Sequence, residues 1–246
     1  MKKIIVIGAS SGLGERIATD FARLGWRVGI AARREDRLRA IKDKFPDRVE
    51  YSVIDVTAPD AVRRFYDLIE LIDGMDVLLY AAGCGFYDPE LDPTETDRTL
   101  AVNVQGFTHI VTAAYKYFKQ TANVAQGQIA CITSVGGLKG LANSAAYSAS
   151  KRYQWTYLQA LDQLAYRQQV NVRITDIRPG FIRTDLLGSF PAALPLEMSV
   201  DYAAPRIEAA ILRRRRLAYI DTRWAVVSAL WSLVPRPLWR HLSFDF

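Results

Sequence analysis

The sequence predicts an α/β protein with a doubly wound, mostly parallel sheet and helices on both of its faces. Short runs rich in Ile and Val alternate with longer amphipathic stretches along the chain, a rhythm that is typical of successive β-α-β units. The apolar runs do not alternate cleanly with polar residues, as expected of strands that are covered on both faces. No repeat and no linker rich in Pro, Gly or Ser interrupts the 246 residues, which favours a single domain.

The short apolar runs predict seven strands: Lys3–Ile7, Arg27–Ala31, Val49–Ile54, Val77–Tyr80, Gln128–Thr133, Val172–Ile177 and Leu217–Ile220. The amphipathic stretches predict helices at Gly12–Leu24, Glu35–Lys44, Pro59–Ile72, Thr94–Gln120, Ala145–Arg167 and Val200–Arg214. In such a sheet the crossovers are right-handed, and ligands bind beyond the carboxyl ends of the strands, near the point where the strand order reverses. We therefore expect the functional residues in the loops that follow the strands.

Composition is that of an ordinary globular protein, with 50% hydrophobic and 24% charged residues. The two cysteines, Cys84 and Cys131, are too few for a disulfide framework and fit a reducing compartment, so we expect a cytoplasmic protein. The basic start of the chain is followed by only four apolar residues before Gly8, which is too short for a signal peptide. No stretch reaches the ~20 apolar residues of a transmembrane helix.

The net charge of +6 is concentrated in two short arginine clusters, Arg33–Arg34 and Arg213–Arg216, and does not form one broad basic face. This pattern argues against a nucleic-acid partner. The two histidines, His109 and His241, have no partners at metal-ligand spacing, so we expect no metal site.

A glycine-rich loop follows the first predicted strand and opens the first predicted helix. Glycines at such a place permit a tight turn and a close approach of the backbone to a pyrophosphate, while the helix N-terminus supplies free N–H groups and partial positive charge. The spacing is G-x-x-x-G-x-G, which differs from the commonest dinucleotide fingerprint. A plain glycine-rich turn is the alternative to the predicted cofactor loop, which comprises Gly8, Ser10, Ser11, Gly12, Leu13 and Gly14.

The residues after the second strand predict which dinucleotide binds. An NAD site normally carries an acidic residue about 20 residues after the glycines, but here Arg33 stands nineteen residues after Gly14 and is followed by Arg34. A guanidinium pairs well with a phosphate, so we predict NADP(H) in preference to NAD(H), with Ser10 also within reach of the 2′-phosphate. The alternative is a solvated helix start whose charge Glu35 partly neutralises.

Two further strand ends are candidates for contacts with the adenosine half of the cofactor. Asp55 and Val56 follow the third strand, where the carboxylate could accept a hydrogen bond from the adenine amino group; a helix N-cap is an equally good interpretation. Ala82 and Gly83 follow the fourth strand, where small side chains let a ribose lie against the backbone, or simply form a tight turn.

A tyrosine and a lysine, Tyr147 and Lys151, are spaced so that they lie on one face of a helix. An ammonium one turn away favours the phenolate of a tyrosine, whose ordinary pKa is about 10. Ser134, thirteen residues upstream, offers a hydroxyl that can orient a substrate oxygen. Tyr147, Lys151 and Ser134 form a general acid/base set for carbonyl–alcohol chemistry, which requires a hydride carrier. Asn103, inside a helix-like stretch, can hold a water or a lysine in a proton relay; a structural role is the alternative.

Taken together and in this order, the motifs resemble those of the classical short-chain dehydrogenase/reductase family, over roughly residues 1–220. The resemblance implies a single Rossmann-fold catalytic domain. It implies that Tyr147 is the acid/base, that Lys151 lowers its pKa and contacts the nicotinamide ribose, and that Ser134 binds the substrate oxygen. Asn103 would position the relay through water. The nicotinamide end of the cofactor would contact Pro179, Gly180, Ile182 and Thr184.

The resemblance also implies a homo-oligomer, a dimer or tetramer formed through the helices around residues 94–120 and 145–167. The chain departs from the family pattern at Ile7, where a Thr is usual, and at Tyr80–Ala81, where two Asn are usual. Each departure removes a side chain that braces the scaffold beside the cofactor. Neither departure affects the acid/base set.

The last third of the chain carries apolar segments that predict a lipophilic substrate. The loop after Pro179, at residues 186–195, contains Leu186, Leu187, Phe190 and Leu194 and can close over a substrate. Residues 221–246 form a separate apolar extension whose helix, near Trp224–Val234, is too short to span a bilayer and must bury itself. It covers the substrate mouth, contacts a second copy, or lies on a membrane with Arg213–Arg216, Arg236 and Arg240 near anionic headgroups.

These observations predict an NADP(H)-dependent oxidoreductase that interconverts a carbonyl and a secondary alcohol on a lipophilic small molecule. A reductase of lipid ketones at a membrane surface is one alternative. An NADP-binding regulatory or sensor protein without turnover is another, and the intact set of Ser134, Tyr147 and Lys151 argues against it.

Overall fold

A computed structural model of the chain describes residues 1–121, 126–184 and 194–242. Its sheet has seven parallel strands in the order β3-β2-β1-β4-β5-β6-β7. The strands are β1 (Lys3–Ile7), β2 (Arg27–Ala32), β3 (Val49–Val53), β4 (Val77–Tyr80), β5 (Gly127–Ile132), β6 (Val172–Arg178) and β7 (Leu217–Tyr219). The predicted fold class is confirmed, and every strand boundary lies within one residue of its prediction.

Helices connect the strands: α1 (Gly12–Arg23), α2 (Glu35–Lys44), α3 (Ala61–Leu71), α4 (Pro93–Leu100), α5 (Phe107–Gln120), α6 (Ala145–Arg167), α7 (Val200–Leu212), α8 (Thr222–Leu233) and α9 (Arg236–Trp239). The single helix predicted over 94–120 is wrong in one respect, since a π-helical segment, Ala101–Gly106, separates α4 from α5. Its wider turn contains Asn103, whose side chain points inward and bonds to the backbone of Cys84. Such segments are rare and are frequent at functional sites.

The sheet is covered on both faces, which explains why its strands lack polar alternation. In β1, Ile4 and Val6 pack in the layer with α1, α2 and α7, whereas Ile5 and Ile7 pack in the layer with α3, α5 and α6. All four side chains are at most 1% exposed. The sheet is therefore a rigid platform from which the loops at its carboxyl edge project.

The strand order reverses at β1, which lies between β2 and β4. Backbone hydrogen bonds fix the start of the loop after β1: Gly8 N–H donates to the Ala31 carbonyl and Ala81 N–H donates to the Ile7 carbonyl, each at 2.8 Å. The turn thus forms with Ile7 and Ala81 in place, without the hydroxyl and amide that these positions lack. This reversal point is where open α/β sheets bind ligands.

The C-terminal helices pack on the same molecule. Asp221 caps α8 by accepting a hydrogen bond from the Arg223 backbone N–H at 2.8 Å, and Trp224 is 2% exposed within the core layer that contains Ile4. Among the described residues, every helix is too short or too polar to cross a membrane.

Candidate active site

A cavity of about 520 Å³ lies beyond the carboxyl ends of the central strands. It brings together nearly all of the residues that the sequence singled out: Gly8, Ser10, Ser11, Gly12, Leu13, Gly14, Arg33, Arg34, Asp55, Val56, Ala82, Gly83, Ser134, Tyr147, Lys151, Pro179, Gly180, Ile182 and Thr184. Asn103 does not line the cavity and is fully buried behind it.

Glycine is required in the loop after β1 because other backbone lies where a side chain would be. Gly8 has φ +90°, and a Cβ there would lie 2.6 Å from the Ala82 amide nitrogen. A Cβ at Gly14 would clash with the Gly8 carbonyl. At Gly12 a Cβ would come within 3.1 Å of the Thr184 side chain, so the turn after β6 lies across the loop. The loop therefore exposes bare backbone at the N-terminus of α1, as a pyrophosphate site requires.

The two arginines after β2 have different surroundings. Arg34 donates to the Ser10 hydroxyl at 3.0 and 3.1 Å and to the Ser11 hydroxyl at 2.6 Å, so it braces the glycine loop. Arg33 is exposed at the cavity rim, on the side of Asp55. The Arg34 guanidinium therefore contacts Ser10 and Ser11, and the Arg33 guanidinium lies at the adjacent part of the rim.

Asp55 closes a turn of its own and does not cap α3, whose N-cap is Asp60. The Asp55 carboxylate accepts hydrogen bonds from the Thr57 amide at 3.0 Å and the Thr57 hydroxyl at 2.7 Å. Partial burial alone would raise the pKa of Asp55, but these bonds and the charge of Arg33 hold it below its ordinary value. Of the two interpretations left open by the sequence, the helix cap is wrong and the carboxylate stays at the cavity edge.

Tyr147 lies in the first turn of α6 between two glycines. A Cβ at Gly85 would clash with the tyrosine ring, and a Cβ at Gly136 would come within 3.3 Å of both the ring and the Ser134 hydroxyl. Ser134 accepts from the Gly136 amide at 3.0 Å, and its hydroxyl lies beside the Tyr147 side chain. Burial raises the pKa of Tyr147 above its ordinary value, and the neighbouring Ser134 hydroxyl opposes that rise.

Lys151 lies one turn further along α6 and is only 4% exposed. Its ammonium is 5.7 Å from the centre of the Tyr147 ring and donates to the Ile132 carbonyl at 3.3 Å. Burial lowers the pKa of Lys151 to about 8. The sequence predicts that Lys151 lowers the pKa of Tyr147, whereas in this structure burial dominates both groups and raises that of the tyrosine.

Asn103 ties the loop after β4 to α6. Its amide nitrogen donates to the Cys84 carbonyl at 2.7 Å and the Ser150 hydroxyl at 3.0 Å, and its amide oxygen accepts from the Cys84 N–H at 3.0 Å. All of these partners belong to the protein itself, so the Asn103 side chain braces the loop after β4 against α6. Its backbone carbonyl accepts from the Gln154 side chain at 2.9 Å.

Three aromatic side chains form a further part of the cavity wall. Phe181, Trp224 and Trp231 line it, with ring centres 5.3 Å apart for Phe181–Trp224 and 6.3 Å apart for Trp224–Trp231. Trp224 Nε1 donates to the Leu196 carbonyl at 3.2 Å. The predicted substrate loop lies outside the described residues except for Leu194, which is buried, and Pro195, which is exposed. Among the described residues, no group of three or more His, Cys, Asp or Glu side chains is placed to hold a metal ion.

Sequence reasoning missed several residues of this site, among them Gly85, Gly136, Gln154, Phe181, Trp224 and Trp231. The two glycines carry no spacing signal, because their role depends on where the Tyr147 ring lies. Gln154 stands one helical turn after Lys151, a position from which contact is expected. The two tryptophans belong to the apolar C-terminal helix, for which covering the substrate mouth was one of three alternatives.

The comparisons with known proteins agree with this architecture. The sequence model of the short chain dehydrogenase family matches residues 2–194. An uncharacterized oxidoreductase of Myxococcus xanthus is 31% identical over 240 residues, which cover 95% of this chain and 93% of that protein. An uncharacterized oxidoreductase of Mycobacterium tuberculosis is 30% identical over 249 residues, covering 96% and 95%.

Solved structures show the same fold. A short-chain dehydrogenase from Sphingobium yanoikuyae in complex with NADPH superposes with a TM-score of 0.79 at 23% identity, covering 96% of this chain and 97% of that one. A 3-ketoacyl-(acyl-carrier-protein) reductase from Brucella melitensis complexed with NADH gives 0.75 at 25% identity, covering 86% and 90%. The chain therefore belongs to the short chain dehydrogenase family of oxidoreductases.

Proposed function

We propose that this protein is an NADP(H)-dependent oxidoreductase that interconverts a carbonyl and a secondary alcohol on a lipophilic small molecule. The observation that carries the proposal is that the Ser134 and Tyr147 side chains lie next to each other in the cavity wall, with Lys151 one helical turn away. Two hydroxyls that converge on one point can both bond a single substrate oxygen.

The chain's own residues account for the proton. Tyr147 is protonated at neutral pH, because the ordinary pKa of a tyrosine is about 10 and burial raises that of Tyr147 further. It can therefore donate to the oxygen of a carbonyl as charge develops there. Ser134 then hydrogen-bonds that same oxygen and stabilises the charge. Lys151 places a positive charge 5.7 Å from the Tyr147 ring, which favours the phenolate that remains.

The cofactor fits the glycine cradle, where a Cβ at Gly8 or Gly14 would meet backbone. The loop from Gly8 to Gly14 would hold the pyrophosphate, Ala82 and Gly83 the ribose, and Pro179 and Gly180 the nicotinamide end. When bound, NADP(H) supplies the hydride. NADP(H) is preferred in the proposal because Arg33 and Arg34 lie at the rim next to Ser10, where a 2′-phosphate would carry its charge.

A lipophilic substrate is favoured by the aromatic wall of Phe181, Trp224 and Trp231, which lines the same cavity as the acid/base residues. Indole and phenyl faces bury apolar groups well and offer few hydrogen-bond partners for a polar sugar.

A homo-oligomer is also part of the proposal. Helix α6 exposes Tyr153 by 37% and Leu164 by 40%. These two residues are separated by about three helical turns and so lie on one face, where exposed apolar side chains favour association with another copy. Sedimentation or light scattering of the purified protein tests this; a monomer at micromolar concentration contradicts it.

A lipid ketone reductase at a membrane surface is the second candidate, and the outer face of α8 and α9 favours it. Val226, Leu230, Leu233 and Leu238 are each at least 59% exposed, and residues 222–242 contain arginines but neither Asp nor Glu. Co-sedimentation with vesicles that contain phosphatidylglycerol, compared with phosphatidylcholine alone, tests this candidate. Leu233→Glu should abolish an interaction of this kind, whereas Leu71→Glu on α3 should leave it intact.

The proposal is tested first by titrating the purified protein with NADPH and NADH and following tryptophan fluorescence, which Trp224 and Trp231 in the cavity wall should report. Tight NADPH binding with weak NADH binding is the expected result, and binding of neither contradicts the proposal. Tyr147→Phe should then bind NADPH like the parent and lose turnover of apolar ketones. Binding without turnover by the parent protein, across a panel of ketones and alcohols, would favour the sensor alternative.

A further inference from the structure

Gln154 lies directly behind the catalytic lysine and is 1% exposed. Its side-chain oxygen accepts a hydrogen bond from Lys151 Nζ at 3.1 Å, and its side-chain nitrogen donates to the Asn103 carbonyl at 2.9 Å. The partners fix the orientation of this amide, because an ammonium can only donate and a carbonyl can only accept. Gln154 therefore bridges two of the residues that the sequence assigns to the proton relay.

We propose that Gln154 is a positioning residue that keeps the Lys151 ammonium charged and ends the hydrogen-bonded path behind it. This inference rests on the proposed function. The amide bonds both Lys151 and the Asn103 carbonyl, whereas the family resemblance implies a relay through water that Asn103 positions. Because an amide side chain does not titrate near neutrality, Lys151 exchanges its proton on the cavity side, where Tyr147 lies.

The need for Gln154 follows from the burial of Lys151. An ammonium that loses its water must bond its N–H groups to protein acceptors, and hydrogen bonds to an ionised donor are the strong ones. The Ile132 carbonyl and the Gln154 amide are two such acceptors, at 3.3 and 3.1 Å. Removing the amide takes one of them away and shifts Lys151 toward its neutral form.

The charged and titratable groups around Lys151 do not replace the amide. Tyr147 faces it from the same helix, Cys84 from the loop after β4, Cys131 from β5 and Asp176 from β6. Burial raises the pKa of both thiols, which keeps them neutral near pH 7. The Asp176 carboxylate is paired with Arg178 at 2.6 Å and accepts from Thr133 at 2.6 Å.

The test is a pH titration of the Lys151 side chain in the nucleotide-free protein, by NMR of lysine Cε and Nζ nuclei. The signal is assigned by its loss in Lys151→Met. Gln154→Met keeps the volume and removes the amide, so the titration midpoint should fall by roughly one pH unit, the size expected for one charge-assisted hydrogen bond. Gln154→Glu should raise the midpoint, because it places a carboxylate beside the ammonium.

Gln128→Met is the matched control. Gln128 is also 1% exposed and donates to the Thr175 hydroxyl at 2.8 Å, but it lies in β5 away from Lys151. Gln128→Met should therefore leave the titration midpoint of Lys151 unchanged. An unchanged midpoint in Gln154→Met, or an equal fall in Gln128→Met, would overturn the inference.

The kinetic consequence has a definite sign. With Lys151 neutral at a lower pH, the Tyr147 phenolate loses its facing charge, so the acidic limb of alcohol oxidation should move to higher pH in Gln154→Met. A structural role alone would lower kcat without moving that limb. The NMR titration does not depend on turnover, so failure of the proposed function, seen as no NADP(H) binding by the parent protein, is distinguishable from failure of this inference.

Discussion

The Trp224 indole lies directly against Gly180, so closely that a Cβ at Gly180 would clash with it. Gly180 is in the turn after β6, where the nicotinamide end of a cofactor is expected, and Trp224 is in α8 of the C-terminal extension. The fit between them makes the extension a wall of the cavity. The position of Trp224 and Trp231 favours the first of the three alternatives for this helix, that it covers the substrate mouth.

Gly180→Ala should therefore displace Trp224 and disturb both the fold and the cavity. Overpacking at such a position typically costs about 1–3 kcal/mol, and we expect a lower free energy of unfolding together with weaker NADPH binding. Denaturant unfolding and fluorescence titration measure the two effects. Gly140→Ala is the matched control, because a Cβ at Gly140 would meet no atom within 4 Å. Equal stability of the two variants would refute the close fit.

Trp231→Ala should change which substrates are accepted. Trp231 is only half-buried and lines the cavity beyond Trp224, so its loss should enlarge the substrate end without unfolding the core. For a series of alkyl ketones, kcat/KM should rise for long chains relative to short ones, and NADPH affinity should stay within about threefold of the parent. An equal change in kcat/KM for ketones of every chain length would show that Trp231 does not contact the substrate.

Gly85→Ala should affect catalysis more than cofactor binding. The new methyl group would clash with the Tyr147 ring and move its hydroxyl away from Ser134, and a displacement of this kind can cost roughly 100-fold in rate. Activity at saturating NADPH measures the effect, and NADPH titration provides the comparison. Turnover at the parent rate in Gly85→Ala would show that Gly85 does not hold the Tyr147 ring in place.

The strands and the order of the motifs could be predicted from sequence because both follow from local pattern. Seven apolar runs mark seven strands, and the carboxyl ends of parallel strands meet at one edge of the sheet. Gly8, Arg33, Asp55, Ser134 and Tyr147 therefore had to line one cavity. Their distances could not be predicted, because these depend on how the loops pack.

The parts that sequence pattern did not reveal depend on contacts between distant segments. The π-helical segment at Ala101–Gly106 is a feature of the backbone hydrogen bonding, which the apolar spacing of the sequence did not reveal. Burial raises the pKa of Tyr147, and burial cannot be predicted from the sequence spacing between Tyr147 and Lys151. Gln154 was overlooked because a glutamine in a helix is usually a solvated residue.

The two arginines after β2 should have separable effects on the cofactor. Arg33→Ala removes a cation at the rim and should weaken NADPH binding by roughly 10-fold or more, while NADH binding stays unchanged, since one charge-assisted hydrogen bond is worth about 1.5–3 kcal/mol. Arg34→Ala removes the brace on Ser10 and Ser11 and should weaken both nucleotides. Arg33→Lys keeps the charge and serves as control. An unchanged NADPH-to-NADH ratio in Arg33→Ala would remove the assignment of the 2′-phosphate to this residue.

Burial of Lys151 should appear as a pH dependence of stability in the nucleotide-free protein. The pKa of Lys151 falls from an ordinary 10.5 to about 8 in the folded state. Between these two values the unfolded chain binds more protons than the folded one, so the free energy of unfolding rises with pH in that window and is insensitive to this group below it. Urea unfolding of the parent and of Lys151→Met, compared at pH 7, 8.5 and 9.5, isolates the contribution.

The difference in free energy of unfolding between the two proteins should move in favour of the parent by about 2 kcal/mol between pH 7 and 9.5, because each pH unit above the folded pKa of about 8 is worth about 1.4 kcal/mol. Lys116→Met is the control for a lysine on the surface of α5, and its difference from the parent should stay flat. A flat difference for Lys151→Met as well would mean that the ammonium keeps its charge in the folded state up to the ordinary lysine range. In that event the hydrogen bonds to Ile132 and Gln154 would fully offset burial, and the phenolate of Tyr147 would face a permanent cation.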